Sequence, residues 1–464
     1  MIPLTSRRDQ TIAVLGLGAS GLAAARALAA GGAHVAAWDD NEDARGRAEA
    51  AGVKLAALDQ RDWSKTAALV LAPGIPLTHN THPVAAAALA AKRPVLGDIE
   101  LLVEACPETV FIGTTGTNGK STTTALIGHI LDGAGRGVQV GGNLGPPALA
   151  FEPPDADSVF VLELSSYQLD LTHRATFDVA VLLNISPDHL DRHGDMAGYI
   201  AAKKRIFRER HDSARSQVAV IGVDDDHGGA IADEIAARPG WTVIRIAAGR
   251  PLTNGVFAAD GVLYDATAGE ARAVCALSRI NTLPGRHNWQ NAAAAWATVR
   301  TIGVSEEAAA RGLRSYPGLA HRMEQIATIG DVRYVNDSKA TNADAAAKAL
   351  ACYDAIYWIA GGLPKDDGLD AVIPYLGRIR HGFLIGEAAE PFGETLRDRI
   401  PTTQSGDLAG AVSQAHAMAQ RDRVAGAVVL LSPACASFDQ WRNFEARGDA
   451  FRAIVGQLAP EGAV

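Results

Sequence analysis

Thr109-Val110-Phe111-Ile112-Gly113-Thr114-Thr115-Gly116-Thr117-Asn118-Gly119-Lys120-Ser121-Thr122 is the stretch that decides the fold. An apolar strand at 109–112 runs straight into a glycine-rich turn, and a helix is expected from there to about residue 131. In this arrangement backbone N–H groups wrap phosphates, a lysine reaches the β and γ oxygens, and a hydroxyl holds magnesium. Gly116, Asn118, Gly119, Lys120, Ser121 and Thr122 are the candidate ATP-binding residues, with Ser121 the candidate magnesium ligand. The spacing departs from the strict phosphate-loop pattern. Thr114 stands where that pattern has glycine, with Gly113 and Gly116 beside it. A bare helix start with an exposed lysine is the alternative, and the intact Gly-Lys-Ser-Thr after a strand disfavours it.

A second turn lies upstream. Gly16-Leu17-Gly18-Ala19-Ser20-Gly21 follows an apolar strand at 11–15 and opens an Ala/Leu helix at 22–30. Its glycines permit a tight turn and close approach of a phosphate to helix N–H groups. Asp39, at the end of the next strand, is placed to accept from a ribose hydroxyl. The motif fits NAD or FAD about as well as another nucleotide diphosphate, and a packing turn with no nucleotide is also open.

Composition frames these motifs. With 464 residues, the chain has room for about three domains of ~150 residues each. Hydrophobic residues make up 48% and charged residues 20%, with a net charge of −9. That is ordinary globular usage, and it argues against general nucleic-acid or anionic-membrane binding. Cys106, Cys275, Cys352 and Cys435 are scattered, so neither a zinc ribbon nor a disulfide framework is expected, and a reduced cytoplasm fits. The apolar stretch after Arg7 and Arg8 is broken by Gly16, Gly18 and Gly21. It reads as a buried strand-turn-helix and not as a signal peptide or membrane span.

Further strands are expected at 35–38, 67–71, 159–162, 179–183, 218–221, 332–335, 355–359, 382–385 and 427–431. Polar clusters follow many of them, as at the C-terminal rim of a parallel sheet. Glu163 is placed to ligate magnesium, followed by Ser165 and Gln168. His189 lies in Asn184-Ile185-Ser186-Pro187-Asp188-His189, again leaving a strand. Lys203 and Lys204 read either as a solvated basic face or, if carbamylated, as a source of anionic oxygens that magnesium prefers. Asn288 and Asn291 sit just before a helical run at 292–299 and either contact nucleotide or cap the helix. Arg322 either neutralises phosphate charge or makes an interdomain ion pair. Asp337 and Lys339 can orient an anion. Lys365 and Ser437 can hold a substrate carboxylate, with Phe444 lining that pocket.

Taken together, Gly116-Thr117-Asn118-Gly119-Lys120-Ser121-Thr122, His287-Asn288-Trp289-Gln290-Asn291 and Asn336-Asp337-Ser338-Lys339-Ala340-Thr341-Asn342 resemble the Mur ligase family across essentially the whole chain. The Ser432–Trp441 segment, the first glycine turn and Lys365 resemble its D-glutamate-adding branch, and no Asp-Asn-Pro-Arg motif of the diaminopimelate- or lysine-adding relatives is present. The resemblance implies an α/β chain of three domains. These are an N-terminal Rossmann-like domain for UDP-sugar (1–99), a central P-loop ATPase-like parallel sheet (100–318) and a C-terminal Rossmann-like domain for the amino acid (319–464).

It also implies ATP, two Mg²⁺ ions, a carbamate on Lys203, and the substrates UDP-N-acetylmuramoyl-L-alanine and D-glutamate, in a cytoplasmic monomer. Lys120, Glu163, His189 and Lys203 are the catalytic centre it implies, and Ser121, Glu163, His189 and Lys203 the metal set. Asn288, Asn291, Arg322, Asp337 and Lys339 join the ATP-handling residues. Gly18, Ala19, Ser20, Asp39, Gly74, Asn143, Ser165, Gln168 and His189 resemble sugar-nucleotide contacts. Lys365, Ser437, Phe438 and Phe444 resemble the D-glutamate pocket. An NAD-dependent oxidoreductase, a non-enzymatic nucleotide binder, an L-alanine ligase and a folylpolyglutamate synthase-like enzyme are the rival readings.

Overall fold

A computed structural model describes residues 1–210, 216–364 and 368–458. Short apolar runs become parallel strands because strands covered on both faces need no polar alternation. Val159–Glu163, Val179–Leu182 and Val428–Leu431 are buried at every position. Among the described residues three mostly parallel sheets result, in an α/β chain. The first has four strands in the order His34–Trp38, Thr11–Leu15, Ala68–Leu71, Val95–Leu96.

The second sheet has nine strands. Its parallel part runs Trp241–Ala248, Gln217–Gly222, Val179–Leu182, Val110–Thr115, Val159–Glu163, Val138–Gly142. At the Trp241 edge, Val256–Ala259 adds in parallel. Val262–Asp265 and Arg272–Ala276 then continue antiparallel. The third sheet has six strands and is parallel except for Glu324–Ile329 at one edge.

The chain divides into two compact units, one of residues 1–277 and 289–315, the other of 278–288 and 316–464. The first contains the four- and nine-stranded sheets, and the second the six-stranded sheet. Within the first unit the helix Asp98–Ala105 joins the two sheets. Glu100 is buried, and its carboxylate accepts from the backbone N–H groups of His173, Arg174 and Ala175 at 2.8–3.0 Å. Gly97 lies against Leu171, where a Cβ would sit 2.9 Å from Leu171 Cβ.

The strand at residues 11–15 is found as expected, and the helix after the first turn starts three residues earlier, as Ala19–Ala30. One placement is corrected. The cluster around Asn288 and Asn291 does not precede its helix but forms its first turns, because the helix runs Arg286–Thr301. Among the described residues no helix is long and apolar enough to cross a membrane.

Candidate active site

The phosphate-loop turn is set by two glycines in backbone conformations that side chains rarely adopt, Gly116 at φ 146° and Gly119 at φ 87°. A Cβ on Gly119 would lie 2.2 Å from Asn291 Oδ1, so glycine is what lets Asn291 sit on the start of the helix Lys120–Gly133. Asn184 braces the turn from the next strand end. Its side-chain oxygen accepts from Asn118 N at 2.9 Å, and its amide donates to Asn118 O and Gln290 Oε1. Thr117 Oγ1 bonds Ser186 and lies 3.0 Å from Tyr199 Oη. Lys120 Nζ turns back onto the carbonyls of Gly116 and Thr117 at 3.0 and 2.9 Å. Ser121 is buried at the same helix start.

The expected charged residues gather beside this turn. Glu163 ends its strand fully covered. Its Oε1 accepts from Asn143 Nδ2 at 2.8 Å, and its Oε2 is buried with no partner. Lys203, on the helix Met196–Lys204, is 1% exposed and donates to Gly116 O at 2.8 Å, with its ammonium 4.6 Å from the Tyr199 ring centroid. Burial drives its basicity well below the usual lysine range, and the Lys120 charge adds to this, while Asp188 and Glu163 oppose it. His189 stands exposed at φ 52°, its Nδ1 3.1 Å from Tyr167 Oη and its Nε2 3.4 Å from Asp188. Partial desolvation by its neighbours lowers its pKa against the pull of Asp188.

No group of three or more His, Cys, Asp or Glu that could hold a metal stands together among the described residues. The Glu163 oxygen without a partner nevertheless fits a cation, since a buried acceptor left unpaired costs about 1–3 kcal/mol. Lys203 joins a ligand set only as an anion, because an ammonium has no lone pair to offer.

The first glycine turn divides by role. Gly16 and Gly21 are explained by packing: a Cβ on Gly16 would lie 2.5 Å from Ala72 Cβ, and one on Gly21 would lie 1.8 Å from Gly16 O. Gly18 is not, because nothing lies within 4 Å of a Cβ built there. That leaves open backbone at the N-terminus of the helix Ala19–Ala30, a geometry able to admit a phosphate. Gly74 is equally open. Asp39 accepts from Leu17 N and Asn41 N, bracing the turn itself. Ser165 and Gln168 form a reciprocal capping box on the helix Ser166–Asp170. Ser20 and Gln168 both stand beside the buried carboxyl of Asp98, which burial pushes upward.

In the second unit, Asp337 Oδ2 accepts from Ser432 Oγ at 2.8 Å and Oδ1 from Met323 N at 3.1 Å. Burial raises its pKa to about 7 against these bonds and the Arg322 charge. Lys339 Nζ lies 3.9 Å from the Phe444 ring centroid, and Ser338 Oγ donates to Phe444 O at 2.8 Å. Asn288 Nδ2 donates to Pro284 O at 2.8 Å. Ser437 is buried, while Phe438 is 69% exposed. Lys365 lies outside the described residues.

Arg447 was not singled out by the sequence motifs. It is fully buried and donates to Ser338 O and Oγ and to the carbonyls of Cys435 and Ala436, tying the Asp337 and Ser437 segments together. Its only signal in the sequence is an arginine on an otherwise amphipathic helix, Phe444–Leu458.

Residues 114–299 match the family model of the Mur ligase middle domain. The chain is 53% identical over 468 aligned positions to the UDP-N-acetylmuramoylalanine--D-glutamate ligase of Phenylobacterium zucineum, covering 99% of this chain and 98% of that protein. The chain belongs to the Mur ligase family. This Mur ligase also shares its fold with the UDP-N-acetylmuramate-alanine ligase of Thermotoga maritima, at a TM-score of 0.58, 14% identity, and coverage of 97% and 99% of the two chains. A MurF ligase from Thermotoga maritima, solved in complex with ADP, aligns at a TM-score of 0.56 and 16% identity over 99% of this chain and 98% of that one.

Proposed function

We propose that this Mur ligase joins the amine of D-glutamate to the free carboxylate of UDP-N-acetylmuramoyl-L-alanine, with ATP converted to ADP and phosphate. The observation that carries the chemistry is the meeting of the phosphate-loop turn, Lys120, Lys203 and the unpaired Glu163 oxygen at one sheet rim. The full-length likeness to a D-glutamate ligase supports the choice of substrates.

A carboxylate is a poor acylating group because its oxygen leaves badly. Attack of that carboxylate on the γ-phosphorus forms an acyl phosphate and releases ADP. The amine then adds to the acyl carbon, loses a proton, and phosphate departs as the amide forms. The turn at 116–122 holds the triphosphate through backbone N–H groups, and Lys120 exchanges its two carbonyl partners for phosphate oxygens. Ser121, Glu163, His189 and a carbamylated Lys203 would hold magnesium, two ions in all, which supplies the positive charge that lets an anionic carboxylate meet an anionic phosphate. Carbamylation needs a neutral amine, and the burial of Lys203 favours that form.

In the same reading residues 1–99 bind the sugar nucleotide, 100–318 bind ATP and 319–464 bind the amino acid. Gly18, Ala19, Ser20, Asp39, Gly74, Asn143, Ser165 and Gln168 meet the UDP-sugar. Asn288, Asn291, Arg322, Asp337 and Lys339 serve ATP. Lys365, Ser437, Phe438 and Phe444 hold D-glutamate. The enzyme works as a cytoplasmic monomer. ADP release measured with each substrate withheld in turn tests the proposal. Steady, multiple-turnover release must require both the UDP-sugar and D-glutamate, and sustained release indifferent to either would refute it.

A further inference from the structure

Arg192 is 6% exposed and makes no ion pair with a carboxylate among the described residues. Burying a guanidinium outside ion-pair distance of any carboxylate is costly, and Asp170 and Asp191 offset that cost only from further away. Its Nη2 donates to Ile75 O at 2.8 Å and Pro73 O at 3.3 Å, the two carbonyls that flank Gly74. Its Cζ lies 4.8 Å from the Tyr167 ring centroid. Tyr167 Oη in turn stands 3.1 Å from His189 Nδ1, with the two ring centroids 4.9 Å apart. A second close approach pins the same two loops. A Cβ on Gly194 would lie 2.8 Å from His79 Nε2.

We infer that Arg192 is a positioning residue that fixes the open Gly74 loop and, through Tyr167, the His189 side chain in one register. Resting on the functional reading above, it couples the sugar-nucleotide site to the metal-bearing rim, so that binding at one presents the substrate to the other. The planar fork of arginine can bridge two carbonyls while stacking on a ring, and a lysine ammonium cannot do both.

The test is calorimetric titration of the full chain with UDP-N-acetylmuramoyl-L-alanine, without metal or ATP, and separately with a non-hydrolysable ATP analogue. Arg192→Lys is expected to weaken sugar-nucleotide binding about tenfold, as for loss of a charged hydrogen bond, with analogue affinity unchanged within about twofold. Tyr167→Leu should produce a similar loss, and the double variant should lose no more than either alone, because the two residues act as one unit.

Unchanged binding in Arg192→Lys, additive losses in the double variant, or equal losses for both ligands would overturn the inference. Arg192→Gln, which keeps donors for the two carbonyls but drops the charge, replaces the lysine variant if that variant lacks a cooperative melt, and the same three results overturn the inference there. Failure of the unaltered chain to bind the UDP-sugar would instead remove the functional reading, and with it this inference. That result is read in the wild type alone, so the two failures are distinct.

Discussion

Lys120 and Lys203 donate to the same acceptor, the carbonyl of Gly116, at 3.0 and 2.8 Å. Two ammonium groups on one oxygen repel, and Lys203 is the buried member. The arrangement is relieved when Lys203 is neutral and reversed when it becomes an anion. On the proposed reading, a bound nucleotide would complete the change by giving Lys120 phosphate oxygens in place of the Gly116 and Thr117 carbonyls.

The first prediction follows from that pair. Lys203→Arg keeps a permanent cation and cannot be carbamylated, so kcat should fall by roughly a hundredfold or more, the scale of losing one electrostatic stabiliser. Carbon-13 NMR of protein equilibrated with labelled bicarbonate should show a carbamate signal in the wild type and none in the variant. A signal of equal size in both would contradict the assignment.

Gly18 and Gly119 should respond in opposite ways to alanine. At 119 the new methyl meets Asn291 at φ 87°, so Gly119→Ala is expected to lower stability by about 1–3 kcal/mol and to weaken ATP binding. At 18 the backbone has φ −63° and the space is empty. Gly18→Ala should therefore melt like the wild type while its KM for the UDP-sugar rises. Thermal melts paired with steady-state kinetics separate the two.

Asp337 makes stability depend on pH in a direction opposite to most carboxylates. Its folded pKa of about 7 lies above the unfolded value of 3.8, so the folded chain holds the extra proton between those limits. This group's contribution therefore falls as pH rises from about 4 to 7, and its full cost is present above that. Asp337→Asn should flatten that part of the stability–pH curve, as measured by denaturant melts at stepped pH. An unchanged slope would count against a buried, proton-holding Asp337.

Glu100 offers a test of how the first two sheets are held together. Its carboxylate receives three consecutive backbone N–H groups from residues 173–175. Glu100→Gln replaces an anionic acceptor with a neutral amide and should cost about 1.5–3 kcal/mol, the worth of hydrogen bonds to a charged group. Differential scanning calorimetry would show it as a lower Tm with the kinetics of the surviving enzyme little changed.

The parts of the fold that were legible in the sequence are those with strong local signals. The strands Thr11–Leu15 and Val110–Thr115 are apolar runs closed by glycine turns, and such runs have few other homes than a parallel sheet. The strands that escaped are edge, short or polar ones, apart from the interior strand Trp241–Ala248. Val138–Gly142 ends in two glycines, Thr402–Gly406 is mostly polar, and Val256–Ala259, Val262–Asp265 and Arg272–Ala276 are short pieces, the last two antiparallel. The site was legible where one segment carries the chemistry, as at residues 116–122. It was not legible where distant residues meet, as in Asn184 with Asn118, Asn143 with Glu163, or Arg447 with Ser338. Those contacts are set by tertiary packing, which no local spacing encodes.

The central claim is the amide formed, and mass spectrometry of the product tests it most directly. The protein would be incubated with ATP, magnesium and UDP-N-acetylmuramoyl-L-alanine, and offered D-glutamate, L-glutamate and L-alanine in separate reactions. The account predicts a UDP-linked product heavier by one D-glutamate less one water, with an equal amount of ADP, in the D-glutamate reaction alone. No adduct with D-glutamate from folded, ATP-binding protein, or a preferred adduct with L-alanine, would contradict it.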